Sequence, residues 1–170
     1  MVCSRFDQES NEQLLSWCDV IVIGPGLGTS VASREREQWF LTAAAREKKP
    51  LILDADGLNL LAAHPQWHQY LGEHVVLTPH IGEMSRLSGR TIQEIQHEIA
   101  DTALKCAAET GSVCVLKDAC TVIADEKGQM YLNLSGNSGM ATAGSGDVLS
   151  GILAAVLCMY LKTEEQPPMV

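Results

Sequence analysis

The densest group of residues that could do chemistry is the glycine-rich segment 137–147, which reads Asn-Ser-Gly-Met-Ala-Thr-Ala-Gly-Ser-Gly-Asp. The small residues Gly144, Ser145 and Gly146 would let the backbone approach a ligand closely. A helix is predicted to begin at Asp147, and the unpaired N–H groups of its first turn would point back at the loop. Loop and helix would together form an anion hole suited to the charge that develops during phosphoryl transfer.

Asp147 lies at the mouth of this helix, and its role has two interpretations. Its carboxylate is placed to take a proton from a substrate hydroxyl, as the acidic base of a kinase does. It could instead be an N-cap that only accepts hydrogen bonds from backbone N–H groups. Because Gly-x-Gly-Asp is a common sequence, the segment alone leaves both interpretations open.

Two carboxylates and an amide follow the second apolar run of the chain. Asp54, Asp56 and Asn59 could bind ribose hydroxyls or a Mg²⁺ ion held through water. Alternatively, Asp56 or Asn59 could simply cap the helix that carries the next leucines.

Further polar residues follow the third and fourth apolar runs. His80 could contact a phosphate or a substrate hydroxyl, while Glu83 could merely favour a helix N-terminus. Lys117 could neutralise a phosphate or pair with its neighbour Asp118.

A Gly-Pro-Gly-Leu-Gly segment, residues 24–28, follows the first apolar run. It is not the dinucleotide fingerprint G-x-G-x-x-G, because Thr29 occupies the position of the last required glycine. No Walker A motif occurs anywhere in the sequence. A glycine-rich passage next to a ligand is therefore favoured over a hydride-transfer site.

The positions of these groups depend on a repeated alternation of strands and helices. Continuous apolar runs without polar alternation are typical of strands that are buried on both faces of a parallel sheet. Such runs occupy residues 19–24, 50–54, 74–78 and 112–116. We expect an α/β fold with a doubly wound, mostly parallel sheet flanked by helices, and the polar groups converge at the carboxyl ends of its strands.

The helices and a hairpin complete this prediction. Residues 33–48 and 91–108 are predicted helices, the second with a Thr91–Glu94 capping box and with Ile92, Ile95 and Ile99 on one face. Strands at 121–124 and 129–134 form a β-hairpin just before the glycine-rich segment. The helix 147–161 is apolar around most of its circumference, so we expect it to be buried.

The length and the net charge of the chain limit the range of possible functions. The 170 residues fit one domain, with a core at 19–161 and a flexible tail at 162–170. The net charge of −9, from 12 Lys and Arg against 21 Asp and Glu, argues against nucleic acid or an anionic membrane as partner.

The apolar stretch 152–161 is too short to cross a bilayer, and the N-terminus has no signal-peptide pattern. The six cysteines lack metal or redox spacing and are expected to be reduced thiols in a cytoplasmic protein.

Five segments in their order along the chain resemble the nucleotide-dependent NAD(P)H-hydrate dehydratases, a family of ribokinase-like fold. The matching segments are 22–28, 53–61 (Leu-Asp-Ala-Asp-Gly-Leu-Asn-Leu-Leu), 77–83 (Leu-Thr-Pro-His-Ile-Gly-Glu), 115–124 and 136–151. The second and third segments distinguish this family from small-molecule kinases of the same fold, which are the alternative enzymatic interpretation.

The resemblance implies an enzyme that repairs hydrated NADH or NADPH with ADP or ATP and Mg²⁺. Carried onto this sequence, it implies that Asp147 is the base and contacts the hydrate, and that 144–146 is the anion hole. It further implies a nucleotide site at Lys117, Asp118, Ala119, Cys120, Thr121 and Gly146. Substrate contacts are implied for Gly26 or Gly28 and for His80, and Asp54, Asn59, Glu83 and Asn137 are additional candidates.

The chain departs from the family pattern in two ways. Asp118 stands where the family commonly has glycine. The sequence also corresponds to the middle and later part of the family domain, so we expect a truncated domain. Two further expectations follow from this: a homo-oligomer that covers the sheet edge before Val20, or a catalytically silent nucleotide-binding fragment.

Overall fold

The computed structural model describes residues 8–137, 139 and 141–164. Within these residues the chain forms a six-stranded mixed sheet with helices packed against it. The elements are α1 (Gln8–Trp17), β1 (Ile21–Ile23), α2 (Val31–Glu47), β2 (Leu51–Leu53), α3 (Ala55–Ala63), a 3₁₀ helix (Pro65–Tyr70), β3 (Val75–Leu77), α4 (Ile81–Ser88), α5 (Ile92–His97), α6 (Ile99–Thr110), β4 (Val113–Leu116), β5 (Thr121–Ala124), β6 (Met130–Asn133) and α7 (Ser145–Glu164).

The strands are arranged in the order β1-β2-β3-β4-β5-β6. The first four are parallel, with Ile23 opposite Leu53 and Leu53 opposite Leu77, while β5 and β6 form the antiparallel hairpin. The predicted α/β sheet and hairpin are therefore confirmed. Because the parallel strands end at the same level, the loops after β1, β2, β3 and β4 share one edge of the sheet.

The central strands are buried on both faces, as their unbroken apolar sequence predicts. Leu51, Ile52 and Leu53 are fully buried. One apolar cluster lies under α2 and α3 and includes Leu41 and Trp67, and another lies under α4 to α6. The five cysteines within the described part of the chain are free thiols.

The predicted helix 91–108 is interrupted. Thr91 and Glu94 form the expected capping box, but Glu98 leaves the helical conformation at φ −129° and ψ 45° and separates α5 from α6. Ile95 is buried, whereas Ile92 is half exposed, so the face predicted to carry Ile92, Ile95 and Ile99 is only partly covered.

The expectation that the last helix is buried is also wrong. Five large apolar residues of α7 are exposed by 54 to 70%: Val148, Ile152, Val156, Met159 and Tyr160. The helix touches the sheet on a narrow side near β1, where Ser150 is buried. It also runs on to Glu164, so the first three residues of the expected flexible tail are helical, and 165–170 lie outside the described residues.

By length and composition alone, the stretch Ser145–Lys162 of α7 is apolar enough to cross a membrane. The shorter stretch 152–161 therefore underestimates the apolar length of this helix. A single helix of this kind is weak evidence for a membrane span.

A close backbone crossing fixes the ends of β1 and β2. Gly24 has φ +124°, and a Cβ at this position would lie 1.7 Å from the carbonyl oxygen of Asp54. The amide of Asp54 in turn donates to the carbonyl of Ile23 at 3.0 Å. Only glycine permits both this φ and this approach.

We predict that Gly24→Ala lowers the free energy of unfolding by about 3 kcal/mol, because the methyl group adds a backbone clash to an unfavourable φ. Urea unfolding measures the loss. Gly128→Ala is the matched control, since Gly128 has φ +81° with no atom near its Cβ position, and it should cost about 1 kcal/mol. Equal losses in the two variants would refute the crossing argument.

Candidate functional site

The carboxyl ends of β2, β3 and β4 bring three of the predicted residues together. Asp54 follows β2, His80 follows β3 and Lys117 follows β4. The backbone bridges His80 and Lys117, and the amide of Lys117 donates to the carbonyl of Pro79 at 2.8 Å. Sequence-distant polar residues therefore share one edge of the sheet, as predicted.

Asp54 is the centre of this edge. Its side chain is 3% exposed, and its Oδ1 accepts a hydrogen bond from Lys117 Nζ at 2.8 Å. Oδ2 accepts from the hydroxyl of Ser150 at 2.7 Å, which links the sheet to α7. Lys117 thus pairs with Asp54 across the sheet, and the expectation that Lys117 could pair with its neighbour Asp118 is wrong.

The ion pair keeps Asp54 charged. Burial raises the pKa of Asp54, but hydrogen bonds from Lys117 and Ser150 and the charge of Lys117 outweigh burial, so the pKa lies below its ordinary value. A lowered folded-state pKa stabilises the fold above the unfolded pKa, and this contribution is lost as the pH falls through the folded value. Asp54 is therefore a fixed anion at neutral pH.

The first turn of α7 lies against this pair. An added Cβ on Gly146 would be 3.7 Å from both Asp54 Oδ2 and Lys117 Nζ. Gly144 has φ +87°, and its carbonyl accepts from the amide of Val148 at 3.1 Å. The predicted anion hole therefore lies next to the ammonium group of Lys117.

Asp147 is exposed in the first turn of α7. Because the helix begins at Ser145, two residues earlier than expected, Asp147 is inside the helix and the N-cap interpretation is wrong. Its side chain is accessible from solvent in this first turn.

His80 caps α4. Its Nδ1 accepts from the amides of Gly82 at 2.9 Å and Glu83 at 3.3 Å, and Glu83 Oε2 accepts from the His80 amide at 2.8 Å. A neutral ring that accepts at Nδ1 carries its proton on Nε2, which lies 3.4 Å from Glu83 Oε1. Burial raises the pKa of Glu83, against the lowering effect of the His80 backbone and side chain. The half-exposed imidazole can thus offer an N–H group to a ligand.

Asp56 holds the glycine-rich loop after β1. Its Oδ2 accepts from the amide of Gly28 at 2.9 Å, and its Oδ1 accepts from Asn59 at 3.5 Å. Asn59 also accepts from Arg86 at 3.0 Å. The cap of α3 is Asp54, so the suggestion that Asp56 or Asn59 caps this helix is wrong. Gly26 is exposed in the same loop.

The remaining predicted residues lie in the loop after β4 and in the glycine-rich segment. Asp118 and Ala119 are exposed, Cys120 Sγ donates to the carbonyl of Asn133 at 3.4 Å, and Thr121 begins β5. Asn137 is exposed, and its side chain accepts from the amide of Gly139 at 2.9 Å.

Sequence reasoning missed Ser150. The signal for it was present: Ser150 is the one serine in the apolar stretch 148–159, and it lies four residues after Gly146 on the same helical face. Within the described residues, no group of three or more His, Cys, Asp or Glu side chains is placed to hold a metal ion.

Comparison with known proteins places the chain in a family. The carbohydrate-kinase family model described as NAD(P)H-hydrate dehydratase matches residues 1–167. The chain belongs to the NAD(P)H-hydrate dehydratase family.

One family relative is the bifunctional NAD(P)H-hydrate repair enzyme Nnr of Thermofilum pendens, which is 45% identical over 147 residues, 86% of this chain and 28% of the relative. A ribokinase-like superfamily protein from Enterococcus faecalis has 33% identity and a TM-score of 0.73, over 86% of this chain and 50% of that one. The ADP/ATP-dependent NAD(P)H-hydrate dehydratase of Bacillus subtilis, co-crystallised with ATP and Mg²⁺, has 34% identity and a TM-score of 0.67, over 82% of this chain and 47% of that one.

These comparisons confirm the ribokinase-like fold and the family that the five sequence segments indicate. This member spans half or less of the length of these three proteins.

A buried carboxyl group lies behind the loop after β1. Glu37 of α2 is fully buried, and neither of its carboxylate oxygens has a hydrogen-bond partner among the described residues. Burial, with a smaller effect of the charge on Asp56, raises the pKa of Glu37 to about 8. The folded protein thus keeps a proton that the unfolded chain releases near pH 4.3.

We predict that Glu37→Gln stabilises the protein increasingly as the pH rises. A raised folded-state pKa means that wild-type stability is full below the unfolded pKa and falls as the pH rises towards 8, by at most about 1.4 kcal/mol per pH unit. The amide has no such proton to lose. Urea unfolding at pH 5, 7 and 9 gives the difference in free energy of unfolding between Glu37→Gln and wild type. This difference should be small at pH 5 and largest at pH 9.

The control is Glu35→Gln, which removes a carboxylate from an exposed position of the same helix. A gap between wild type and Glu37→Gln that is constant with pH would contradict the prediction.

Proposed function

We propose that the protein restores hydrated NADH and NADPH (NADHX and NADPHX) by nucleotide-dependent dehydration. The observation that carries the proposal is the position of Lys117 Nζ beside Gly146 at the start of α7, with Asp147 the next residue along the helix. A cation, a helix N-terminus and a carboxylate in the same helical turn are the parts that phosphoryl transfer to a hydroxyl requires. Family membership supports hydrated NADH or NADPH as the alcohol.

The chemistry follows from these parts. Asp147 takes the proton from the hydroxyl of the hydrated ring, and the oxygen attacks the terminal phosphorus of the nucleotide. The bond between that phosphorus and the bridging oxygen breaks, and ADP leaves when ATP is the donor or AMP when ADP is the donor. The backbone N–H groups of 144–146 and the ammonium of Lys117 stabilise the charge on the transferring group. The carbon–oxygen bond then breaks, phosphate leaves, and loss of a proton from the adjacent carbon restores the double bond.

The other predicted residues form the two ends of the site. We assign the loop Lys117, Asp118, Ala119, Cys120 and Thr121, together with Gly146, to the nucleotide. Gly26, Gly28 and His80 are assigned to the hydrate, where the exposed imidazole can donate from Nε2. Asp56 supports this end because it holds the amide of Gly28.

The proposal includes ADP or ATP as donor, with Mg²⁺. Magnesium in such sites keeps several waters and is held mainly by phosphates, with one or two carboxylates. The described residues suit this arrangement, since they offer isolated carboxylates such as Asp118 and no cluster of three metal ligands. The metal would neutralise phosphate charge.

We propose a cytoplasmic location, where NADH and NADPH are used, with no membrane or nucleic acid as partner. The hydroxyl of Ser150 is buried against Asp54 of the sheet, so one side of α7 is committed to protein. A span through lipid would break this contact. The net charge of −9 disfavours anionic phosphate polymers.

We predict that purified protein with hydrated NADH, Mg²⁺ and ADP or ATP gives a nucleotide-dependent rise in absorbance at 340 nm, and that Asp147→Asn lowers the rate by about 10²–10⁴-fold. The amide keeps the shape of the side chain but cannot accept the proton. Asp101→Asn, an exposed change on α6, is the control and should retain the wild-type rate.

The donor that gives the faster rise is the preferred nucleotide. If nucleotide binding is seen by calorimetry but absorbance does not rise, the dehydratase proposal fails. Phosphorylation of another alcohol would then indicate a kinase, and no turnover a silent nucleotide-binding domain.

We further propose that the protein forms a homo-oligomer through the edge of β1. This strand is at the edge of the sheet, where its backbone is open to pairing. A groove of about 520 Å³ lies beside it, lined by residues that include Leu14, Trp17 and Phe40. Trp17 is 77% exposed, and a second copy would cover it.

We predict that light scattering detects a species larger than the monomer and that Trp17→Ser shifts it to the monomer, because buried tryptophans are often the main contributors to an interface. Tyr131→Ser on β6, at the other edge, removes an aromatic residue of similar exposure and should leave the assembly unchanged. A stable wild-type monomer at high concentration would refute the proposal.

A further inference from the structure

Ser150 has no role in the proposed chemistry, yet it is the most buried described residue in the exposed first half of α7. It is 1% exposed, while its neighbours Gly151 and Ile152 are exposed. A serine hydroxyl in such a position requires a partner, because an unpaired buried polar group is costly. Its partner is Asp54, at 2.7 Å.

The two hydrogen bonds of the Asp54 carboxylate join three separate elements. Asp54 follows β2, Lys117 follows β4 and Ser150 lies in the second turn of α7. The two carboxylate oxygens are divided between them: Oδ1 accepts from Lys117 and Oδ2 from Ser150. One buried carboxylate therefore sets the position of the cation and of the helix relative to each other.

The geometry extends to the reacting end of the helix. Gly146 and Ser150 are four residues apart and so lie on the same face, one turn apart. The Cβ position of Gly146 is 3.7 Å from both Asp54 Oδ2 and Lys117 Nζ. A rotation or shift of α7 would move the N–H groups of its first turn and Asp147 together.

We infer that Ser150 and Asp54 are positioning residues that hold the first turn of α7 and Lys117 at a fixed separation for phosphoryl transfer. The inference rests on the proposed function for its catalytic part. Ser150 acts through the helix, without contact with the substrates. A displacement on the order of 1 Å at a reacting group can lower a rate about 100-fold, so a single hydroxyl is enough to matter.

The test compares Ser150→Ala with Ser150→Thr, which keeps the hydroxyl, and with Ser88→Ala. The Ser88 hydroxyl also donates at 2.7 Å, to the carbonyl of Met84 in α4, so this control removes a similar bond away from the site. If Ser150→Ala does not fold, Ser150→Cys takes its place, since a thiol is a weaker donor of similar shape.

We expect Ser150→Ala to lower kcat by about 10–100-fold while the dissociation constant of the nucleotide, measured by calorimetry, stays unchanged. Lys117 remains paired with Asp54 in this variant, so the binding charge stays in place. Ser150→Thr should recover most of kcat, and Ser88→Ala should match wild type. A merely structural role would lower the free energy of unfolding without this split between kcat and nucleotide binding.

Hydrogen exchange provides a readout that does not depend on turnover. In Ser150→Ala, the hydrogen-bonded backbone amides of 148–151 should exchange faster than in wild type, while those of α6 should not change. Unchanged exchange in α7, or faster exchange with unchanged kcat, would overturn the inference. Wild-type protein without turnover would refute the proposed function alone, and the exchange comparison would then decide whether Ser150 positions the helix.

Discussion

The carboxylate of Asp54 is the interaction on which the arrangement of the site depends. It is buried, it remains ionised, and it binds a lysine from another strand and a serine from the last described helix. Burial of an isolated carboxylate would be unfavourable, and the Lys117 ammonium and the Ser150 hydroxyl offset that cost. The same contacts that satisfy the charge also bring a cation next to a helix N-terminus. Stability and site geometry therefore rest on the same side chain.

Backbone geometry explains how two aspartates so close in sequence perform different tasks. Ala55, between Asp54 and Asp56, has φ +46°, a conformation that non-glycine residues seldom adopt. The chain turns sharply there, so that Asp54 faces Lys117 and Ser150 while Asp56 faces the amide of Gly28. Gly24 crosses directly over the carbonyl of Asp54 and fixes the neighbouring loop against the same turn. The two loops are thereby built as one unit, and each aspartate serves a different end of the site.

Much of this could be predicted from the sequence, and the limits have physical causes. Unbroken apolar runs identify β1 to β4 because burial on both faces leaves little choice of residue, and parallel pairing then brings Asp54, His80 and Lys117 to one edge. The pairing of Lys117 with Asp54, 63 residues away, could not be predicted, since local sequence shows only the adjacent Asp118. The helix α1 lies before the expected core and carries no strong apolar stripe. The break at Glu98 could not be predicted, because the sequence there is a continuous run of helix-forming residues. For α7, composition predicted burial, but composition does not say whether a partner surface covers a helix.

The exposed face of α7 changes how strongly the site depends on Ser150. A helix covered on all sides is held by apolar contacts around its circumference, and the loss of one hydrogen bond moves it little. Here the outer residues Val148, Ile152 and Val156 are exposed, so the narrow inner side provides the contacts that orient the first turns. Val148 is also adjacent to Asp147, so any protein surface that packs on the outer face would restrain the same turn that Ser150 restrains from within. A surface packed on this outer face and the internal hydrogen bond would act on one helix from opposite sides, so their effects on the position of Asp147 would be coupled.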